Sequence, residues 1–529
     1  MTIWDYGKVP IGRIEMRDRR TRLMMLVLLV LLSISAVMVV VHAQKPENGT
    51  LPRIPKTWDD KAVAELEVPL ADPRYSPVHV SSDYYYRMPV RQIYKSYPIY
   101  APGKEPPRYM EWLKQQEPEI VFDAAKLKTE SDWIRAGELV FNAPIAYQDA
   151  SISPFLDRRF YEQAAVPVAR DGTVPFRRYV IRKKGAVEVG GTSCAECHTR
   201  VLPDGSVVSG AQGNFPNVQL VAFRGRRRAA QADDQEKQAM LAEMHREETV
   251  RHGAPWMQPD PAEQFTSVDE TVAALEAVTP GVFVREGTSV RYAVVAADLI
   301  GVKDRRYLDR TGLVRQRSIG DLMRYAALNQ DTQLLGRYGE FIPGGKDFRE
   351  LPDPTTRPRY SDEQLYALAL YIYSLKPPPN PNKFDALARR GQKVFQREGC
   401  AGCHTPPLYT SNKLTPADGF TIPDDHRQKY DIEDRSVDTD SSSALRTRRG
   451  TGYYKVPMLK GVWYRGPFQH NGAVATLEDW FDPRRLRNDY VPTGYRPYGV
   501  KTQAVRGHPF GLDLTADDRR ALIAFLRSL

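Results

Sequence analysis

The chain has four cysteines, and all four stand in two copies of one motif: Cys194-Ala-Glu-Cys197-His198 and Cys400-Ala-Gly-Cys403-His404. No other feature limits the fold so strongly. Two thiols three residues apart fit on one helical turn, where each can add to one of two vinyl groups on neighbouring pyrroles of a porphyrin. The histidine that follows then lies under the iron as its proximal ligand. Other uses of the pattern fit less well. A thioredoxin-like pair needs one motif and no attached histidine, and a zinc site uses pairs about 15–20 residues apart. Here the motifs begin 206 residues apart (400 − 194). A disulfide framework would not place every cysteine in Cys-x-x-Cys. The sequence therefore predicts two covalently bound haem c groups (iron), one on Cys194, Cys197 and His198, the other on Cys400, Cys403 and His404.

Haems of this kind are attached outside the cytoplasm, and the N-terminus agrees. Residues 23–41 carry no charge and follow Arg17, Arg19, Arg20 and Arg22. A cationic flank before an apolar run of nearly 20 residues reads as a bilayer-spanning segment with its short end inside. The expectation is a basic cytoplasmic N-terminus at 1–22, a transmembrane anchor or signal peptide at 23–43, and a body on the periplasmic side of a bacterial inner membrane. Val41-His42-Ala43 has the small-x-small form of a cleavage site, so a soluble periplasmic protein cleaved after Ala43 is the alternative. The length of the run favours the retained anchor.

The rest of the chain divides by composition and repeat. With 41 prolines, short helices and many loops are expected. Residues 44–125 form a Pro/Tyr-rich extension, read as a spacer with little regular structure. Pro377-Pro-Pro-Asn-Pro-Asn382 is a stiff linker. Segment 361–375 before it aligns without a gap with segment 515–529: Ala367-Leu368 with Ala521-Leu522, and Tyr371 with Phe525. Upstream, Gly137–Phe141 matches Gly391–Phe395. Both closing segments open on a capping residue and are amphipathic at helical spacing. The predicted fold class is mainly α: two cytochrome c-like haem domains, 126–376 with long irregular insertions and 383–529, joined by 377–382. Within the first insertion, 179–182 and 186–189 read as a strand pair. A charged helix is expected over 229–251.

The net charge of +10, from 75 Lys and Arg against 65 Asp and Glu, gives no nucleic-acid signature, which would be a stripe or patch on one face. Its densest runs, 224–228 and 305–324, read as solvated faces or as a docking patch for an acidic redox partner.

A filled sixth position gives an electron carrier, and an open one binds oxygen or peroxide. After the second motif the candidates are His426, His470, His508 and Met458. His508, in Gly-His-Pro-Phe-Gly at 507–511 just before the closing helix, is the first choice for a metal ligand. His470 is a ligand or a hydrogen bonder behind one, Met458 a ligand or packing, and His426 a solvated residue of a charged loop. After the first motif the candidates are His245, His252, Met240, Met244, Met257 and Met323. None has a persuasive context, so the first haem is expected to be open or water-bound. Trp256 reads as pocket lining or as a packed tryptophan. Arg465 suits a haem propionate or a surface position, and Trp463 an electron-tunnelling path or packing.

Val456–Trp463, then Gly466-Pro-Phe-Gln-His-Asn-Gly472, then Ala475-Thr-Leu477 resembles the bacterial di-haem cytochrome c peroxidase and MauG-type superfamily. With the haem motif and closing helix, the resemblance covers about 385–529. It departs at Arg484, which stands where the better-known peroxidases carry an iron-binding Met. The long chain, the wide motif spacing and the late Gly-His-Pro-Phe-Gly are similar to the rubber-oxygenase branch. That likeness implies an oxygen-binding first haem on His198 and a bis-histidine second haem on His404 and His508; no pocket residue supports polyisoprene as substrate.

Three functions follow as expectations. One is a peroxidase- or oxygenase-type oxidoreductase, with oxygen or peroxide as small oxidant. The second is a plain electron-transfer cytochrome, with both haems six-coordinate, serving a redox partner protein. The third is an anchored sensor or assembly module. Trp463, Arg465 and His470 are expected near the second haem or the path between the two.

Overall fold

The computed structural model describes residues 52–263, 265–284, 292–330 and 332–529. The expected anchor or signal segment at 23–43 lies outside them. Among the described residues no helix is long and apolar enough to cross a membrane. Residues from Ile54 to Leu529 form one compact unit.

The extension is not a spacer. Trp58 and Tyr85 are fully buried and stack with ring centres 4.6 Å apart, and Trp58 Nε1 donates to the Val80 carbonyl at 2.8 Å. Short helices form at Asp60–Ala64 and Ser82–Arg87, capped by the Asp59 and Ser81 side chains. Their apolar faces join one core with Phe141, Met323, Leu365 and Leu368. The aromatic residues that make 44–125 look irregular supply the area it buries. Complete burial of such a side chain is worth about 1.5–3 kcal/mol.

The described elements follow in chain order. Strand β1 (Ser96–Tyr100) is followed by helix α1 (Glu130–Asn142), whose N-terminus Thr129 and Asp132 close with a capping box. Strands β2 (Ala146–Asp149), β3 (Thr173–Lys183) and β4 (Ala186–Gly191) join β1 in an antiparallel sheet of order β1-β3-β4-β2. The expected strand pair is its centre, with Tyr179 opposite Val189. One face buries Ile99, Val174, Phe176 and Val189 against Phe155, Phe160 and Phe215. The fold is therefore mixed, and the first insertion is a built sheet. The mainly-α expectation gave too little weight to β3, whose Val174, Phe176 and Val180 are buried at alternate positions.

The first haem motif forms α2 (Cys194–Cys197). A helical layer follows: α3 (Asn217–Ala229), α4 (Asp234–His252) and α5 (Val268–Glu276), with α3 packed on α5 and α5 on α4. After α6 (Ile319–Leu328) comes α7 (Asp362–Ser374), which crosses α1. Past the proline linker, α8 (Ala386–Arg397) crosses α9 (Ala516–Ser528) in the same way. The crossings are equivalent. A Cβ at Gly137 would meet the Ala367 carbonyl and Tyr371; a Cβ at Gly391 would meet the Ala521 carbonyl and Phe525. These are the residues that the sequence repeat aligns.

Candidate functional site

Both Cys-x-x-Cys-His motifs open onto one cavity of about 1140 Å³. At the first, the Ser193 side chain caps α2 by accepting from the Glu196 N–H. Glu196, one of the two spacer residues, turns away from solvent at 2% exposure. It pairs with Arg177 of β3 at 2.7 Å and accepts from the Thr192 N–H and the Asn217 side chain. A carboxylate held from three sides fixes the turn that carries both thiols. His198 Nδ1 lies 2.8 Å from the Ala297 carbonyl oxygen. A carbonyl only accepts, so Nδ1 carries the proton and Nε2 keeps the lone pair a metal needs.

The second motif repeats the device. His404 Nδ1 lies 3.1 Å from the Tyr409 carbonyl oxygen, which again leaves Nε2 as the ligating atom. Facing it is the imidazole of His508, ring centres 6.3 Å apart and planes 52° apart. Two imidazoles that bind one metal from opposite sides, through bonds of about 2 Å each, stand at about this separation. The pair fits a single iron.

The loop that aims His508 is held from below. His508 has φ +48, in the left-handed region, and its N–H donates to the Val437 carbonyl at 2.6 Å. Arg485, fully buried, donates to the carbonyls of Trp480, Val505, Gly507 and His508 at 2.7–2.9 Å. Trp480 and Phe510 meet the His508 ring edge-on at 5.3 and 5.1 Å. Burial, reinforced by His404 and Arg485, pushes the His508 pKa down to about 3. Burial also lowers that of His404. Both rings are neutral at pH 7, the state that ligation requires.

A short segment ties the two halves together. The Val295 N–H donates to the His470 carbonyl at 3.1 Å, Ala297 holds His198, and Asp298 Oδ2 lies 2.7 Å from Arg465 Nε and accepts from Tyr464. From the other side, Arg200 donates to the Gly466 carbonyl and Gln212 to the Pro467 carbonyl, both at 2.8 Å. The Pro-Phe-Gln-His-Asn segment of the second half is thus clasped by the loop that follows the first haem motif.

The remaining sequence candidates fall as follows. His470 lines the cavity, stacked on Tyr454 at 4.7 Å, with Nε2 3.5 Å from Asp440 Oδ2. Burial opposes the Asp440 charge, but His470 and Ser442 outweigh it and hold its pKa at about 2. Arg465 lines the cavity but is bound to Asp298 and to the Met458 and Lys460 carbonyls. Trp463 is not part of the cavity wall and packs edge-on against Tyr464. Met458 is buried on the cavity wall. His426 is buried, contrary to the solvated reading, with Nδ1 3.0 Å from the Tyr453 hydroxyl. Trp256 is sandwiched between Tyr75 and Tyr338.

The charged helix expected over 229–251 forms from Asp234 as α4, and one of its faces is cavity wall, including Met240, Met244, Glu248, Arg251 and His252. His245 Nε2 lies 2.7 Å from the Phe265 carbonyl oxygen, and Met323 is sealed in the core. Sequence reasoning missed Glu196, Arg485 and the α4 face. A single charged residue beside a motif, or in an arginine pair, carries no periodic signal. The α4 face did have one, Met240, Met244 and Glu248 at i, i+4, i+8, masked by the charges around it.

Paired thiols followed by an imidazole, twice over on one cavity, are the pattern expected of a c-type cytochrome. Comparison with known proteins sharpens the class. The chain matches no protein-family model. It is 28% identical over 162 residues to cytochrome-c peroxidase IdrP1 of Denitromonas iodatirespirans, covering 27% of this chain and 40% of the relative. It is 25% identical over 166 residues to the protein of that name from Pseudomonas sp. (strain SCT), covering 28% and 41%. The chain thus spans less than half of the curated relatives it matches. Among solved structures, hydrazine synthase of Kuenenia stuttgartiensis is similar over 53% of this chain and 85% of its own, with TM-score 0.28 and 14% identity. A MauG-like protein associated with microbial copper homeostasis is similar over 45% and 73%, with TM-score 0.26 and 15% identity. Those two scores are too low to carry an argument. The sequence relatives and the motifs both show similarity to the di-haem cytochrome c peroxidase and MauG-type superfamily.

Proposed function

We propose that this protein is an exported cytochrome that carries two haems c and acts as a peroxidase- or oxygenase-type oxidoreductase. In this reading the second haem is a six-coordinate electron relay and the first binds the oxidant. Cys194, Cys197 and His198 hold the first group; Cys400, Cys403, His404 and His508 hold the second. When bound, the haems supply one-electron redox chemistry and, at the first, a place for oxygen or peroxide. The observation that carries the reading is that both motifs open onto one cavity, with His508 facing His404 across it.

The chain's own groups suit that cargo. Lys455 and Arg305 share a cavity wall. Burial, then the Arg305 charge, pushes Lys455 down to about 7, and burial pushes Arg305 down to about 10. Asp309 and Asp298 offset part of that charge, and haem propionates would be further anions suited to it. The 295–298 segment, touching His198, His470 and Arg465, is one protein link between the halves and a path open to electrons. The partners are then a one-electron donor protein and a small oxidant, on the periplasmic side of the membrane. Anchoring rests on segment 23–43 alone.

Low-temperature EPR of the haem-loaded exported protein tests the reading, fully oxidised and after one electron per chain. A high-spin ferric signal that responds to peroxide or cyanide in either state, beside a low-spin signal lost in His508→Gly and restored by imidazole, is the expected result. Two low-spin haems that ignore peroxide in both states would leave a plain electron-transfer cytochrome.

A further inference from the structure

His252 is the last residue of α4, 4% exposed, and it lines the cavity. Its Nδ1 lies 2.7 Å from Glu248 Oε2, one turn earlier on the helix. Neither ring nitrogen makes a hydrogen bond of good geometry among the described residues, and neither does Glu248 Oε1, so the Nδ1–Oε2 approach is an ion-pair contact. A buried polar nitrogen left unmatched costs about 1–3 kcal/mol, so its retention at a cavity wall points to a ligand there.

A chain of contacts places this pair on the side of the first motif. Arg448 Nη2 donates to the Val250 carbonyl at 2.8 Å, two residues before His252. The next residue, Arg449, donates to Asn329 Oδ1 at 3.1 Å. Gln330, adjacent again, reaches Cys194 Sγ at 3.6 Å. On the opposite flank, Asn217 at the start of α3 holds Glu196 inside the motif, and α5 links α3 to α4.

We infer that His252, oriented by Glu248, is the hydrogen-bonding and proton-accepting group over the first haem, serving small weak acids such as hydrogen cyanide or hydrogen peroxide. The inference rests on the reading of that haem as the open one. A carboxylate beside Nδ1 favours the proton there and leaves the Nε2 lone pair free to accept. With hydrogen cyanide as probe, the H–C bond would break and the proton would pass to Nε2, leaving the anion for the haem iron to bind once loaded; no electron moves. A ring mounted on a helix end, with its own carboxylate on the same helix, keeps its direction without help from the ligand.

The experiment is stopped-flow cyanide binding to the ferric holoprotein at pH 7, with EPR of each sample, for wild type, His252→Leu and Glu248→Gln. The expected result is cyanide association slowed about a hundredfold in His252→Leu, the lower end of what a placed acid–base group supplies. Glu248→Gln should be intermediate, and the spin state of the first haem unchanged in both. Should His252→Leu not load haem, Glu248→Gln alone decides. Unchanged association rates would overturn the inference and make His252 a packing residue. A first haem that is low-spin in wild type and high-spin in His252→Leu would overturn it too, because His252 would then be the sixth ligand. Two low-spin haems in every variant, with no cyanide binding, would instead sink the open-haem reading on which the inference stands.

Discussion

Gly391 lies directly against the carbonyl of Ala521 where α8 crosses α9, and any Cβ at position 391 would overlap that oxygen and the Cβ of Phe525. An alanine in mid-helix normally gains about 1 kcal/mol over glycine. Here the helices would have to part, and overpacking of this kind costs about 1–3 kcal/mol. Gly391→Ala should lower the denaturation midpoint of the holoprotein. Gly225→Ala should be near neutral, since its Cβ would meet a Val272 methyl at 3.0 Å and the flexible Met244 methyl at 3.8 Å, and no backbone. Equal effects from the two substitutions would mean that the crossing is looser than described.

That crossing also shows what the sequence made legible. Gly137 and Gly391, Ala367 and Ala521, Tyr371 and Phe525 aligned as a repeat because one contact, made twice, restricts the same positions twice. The two Cys-x-x-Cys-His motifs stood out because covalent haem attachment would fix that spacing. His508 stood out by its place before the closing helix. What stayed hidden was packing between segments distant in the chain. Nothing local in 44–125 announces that Trp58 and Tyr85 meet Leu365. Nor does the charge on α4 announce that His252 turns inward, because burial is decided by what covers a residue.

The extension should therefore be indispensable. Trp58 is fully buried and stacked on Tyr85 in the core that Phe141 and Leu368 share. Trp58→Ala should cost about 3–5 kcal/mol, read as a shift in the guanidinium midpoint of the protein. A loss below about 1 kcal/mol, the range of an ordinary surface change, would show that the extension is peripheral after all.

Glu196 offers a test of how the first motif is held. Its carboxylate pairs with Arg177 and caps the Thr192 N–H while nearly excluded from solvent. Removing one partner of a buried pair leaves the other charge stranded, typically at about 3–5 kcal/mol. Glu196→Leu should destabilise the protein and reduce haem attachment at Cys194 and Cys197, with Cys400 and Cys403 still loaded; peptide mass spectrometry reads each site separately. Equal loss at both motifs would mean a global folding defect, with no local role for Glu196.

The last prediction concerns acid. Burial holds His508 down to about 3 in the folded protein, whereas an unfolded imidazole titrates at about 6.5. Above that value neither state binds the proton, and the stability from this residue is complete. As pH falls from about 6.5 toward 3, the unfolded chain takes up a proton that the folded one refuses. Stability should therefore decline with acid, by up to about 1.4 kcal/mol per pH unit for each such histidine. The lowered pKa of His404 adds in the same direction. Guanidinium midpoints between pH 7 and pH 4, on wild type and His508→Phe, isolate the term: the variant should be less stable at pH 7 yet lose less on acidification. Parallel curves would show that His508 excludes no proton, and with that the neutral, ligation-ready ring opposite His404 would be lost.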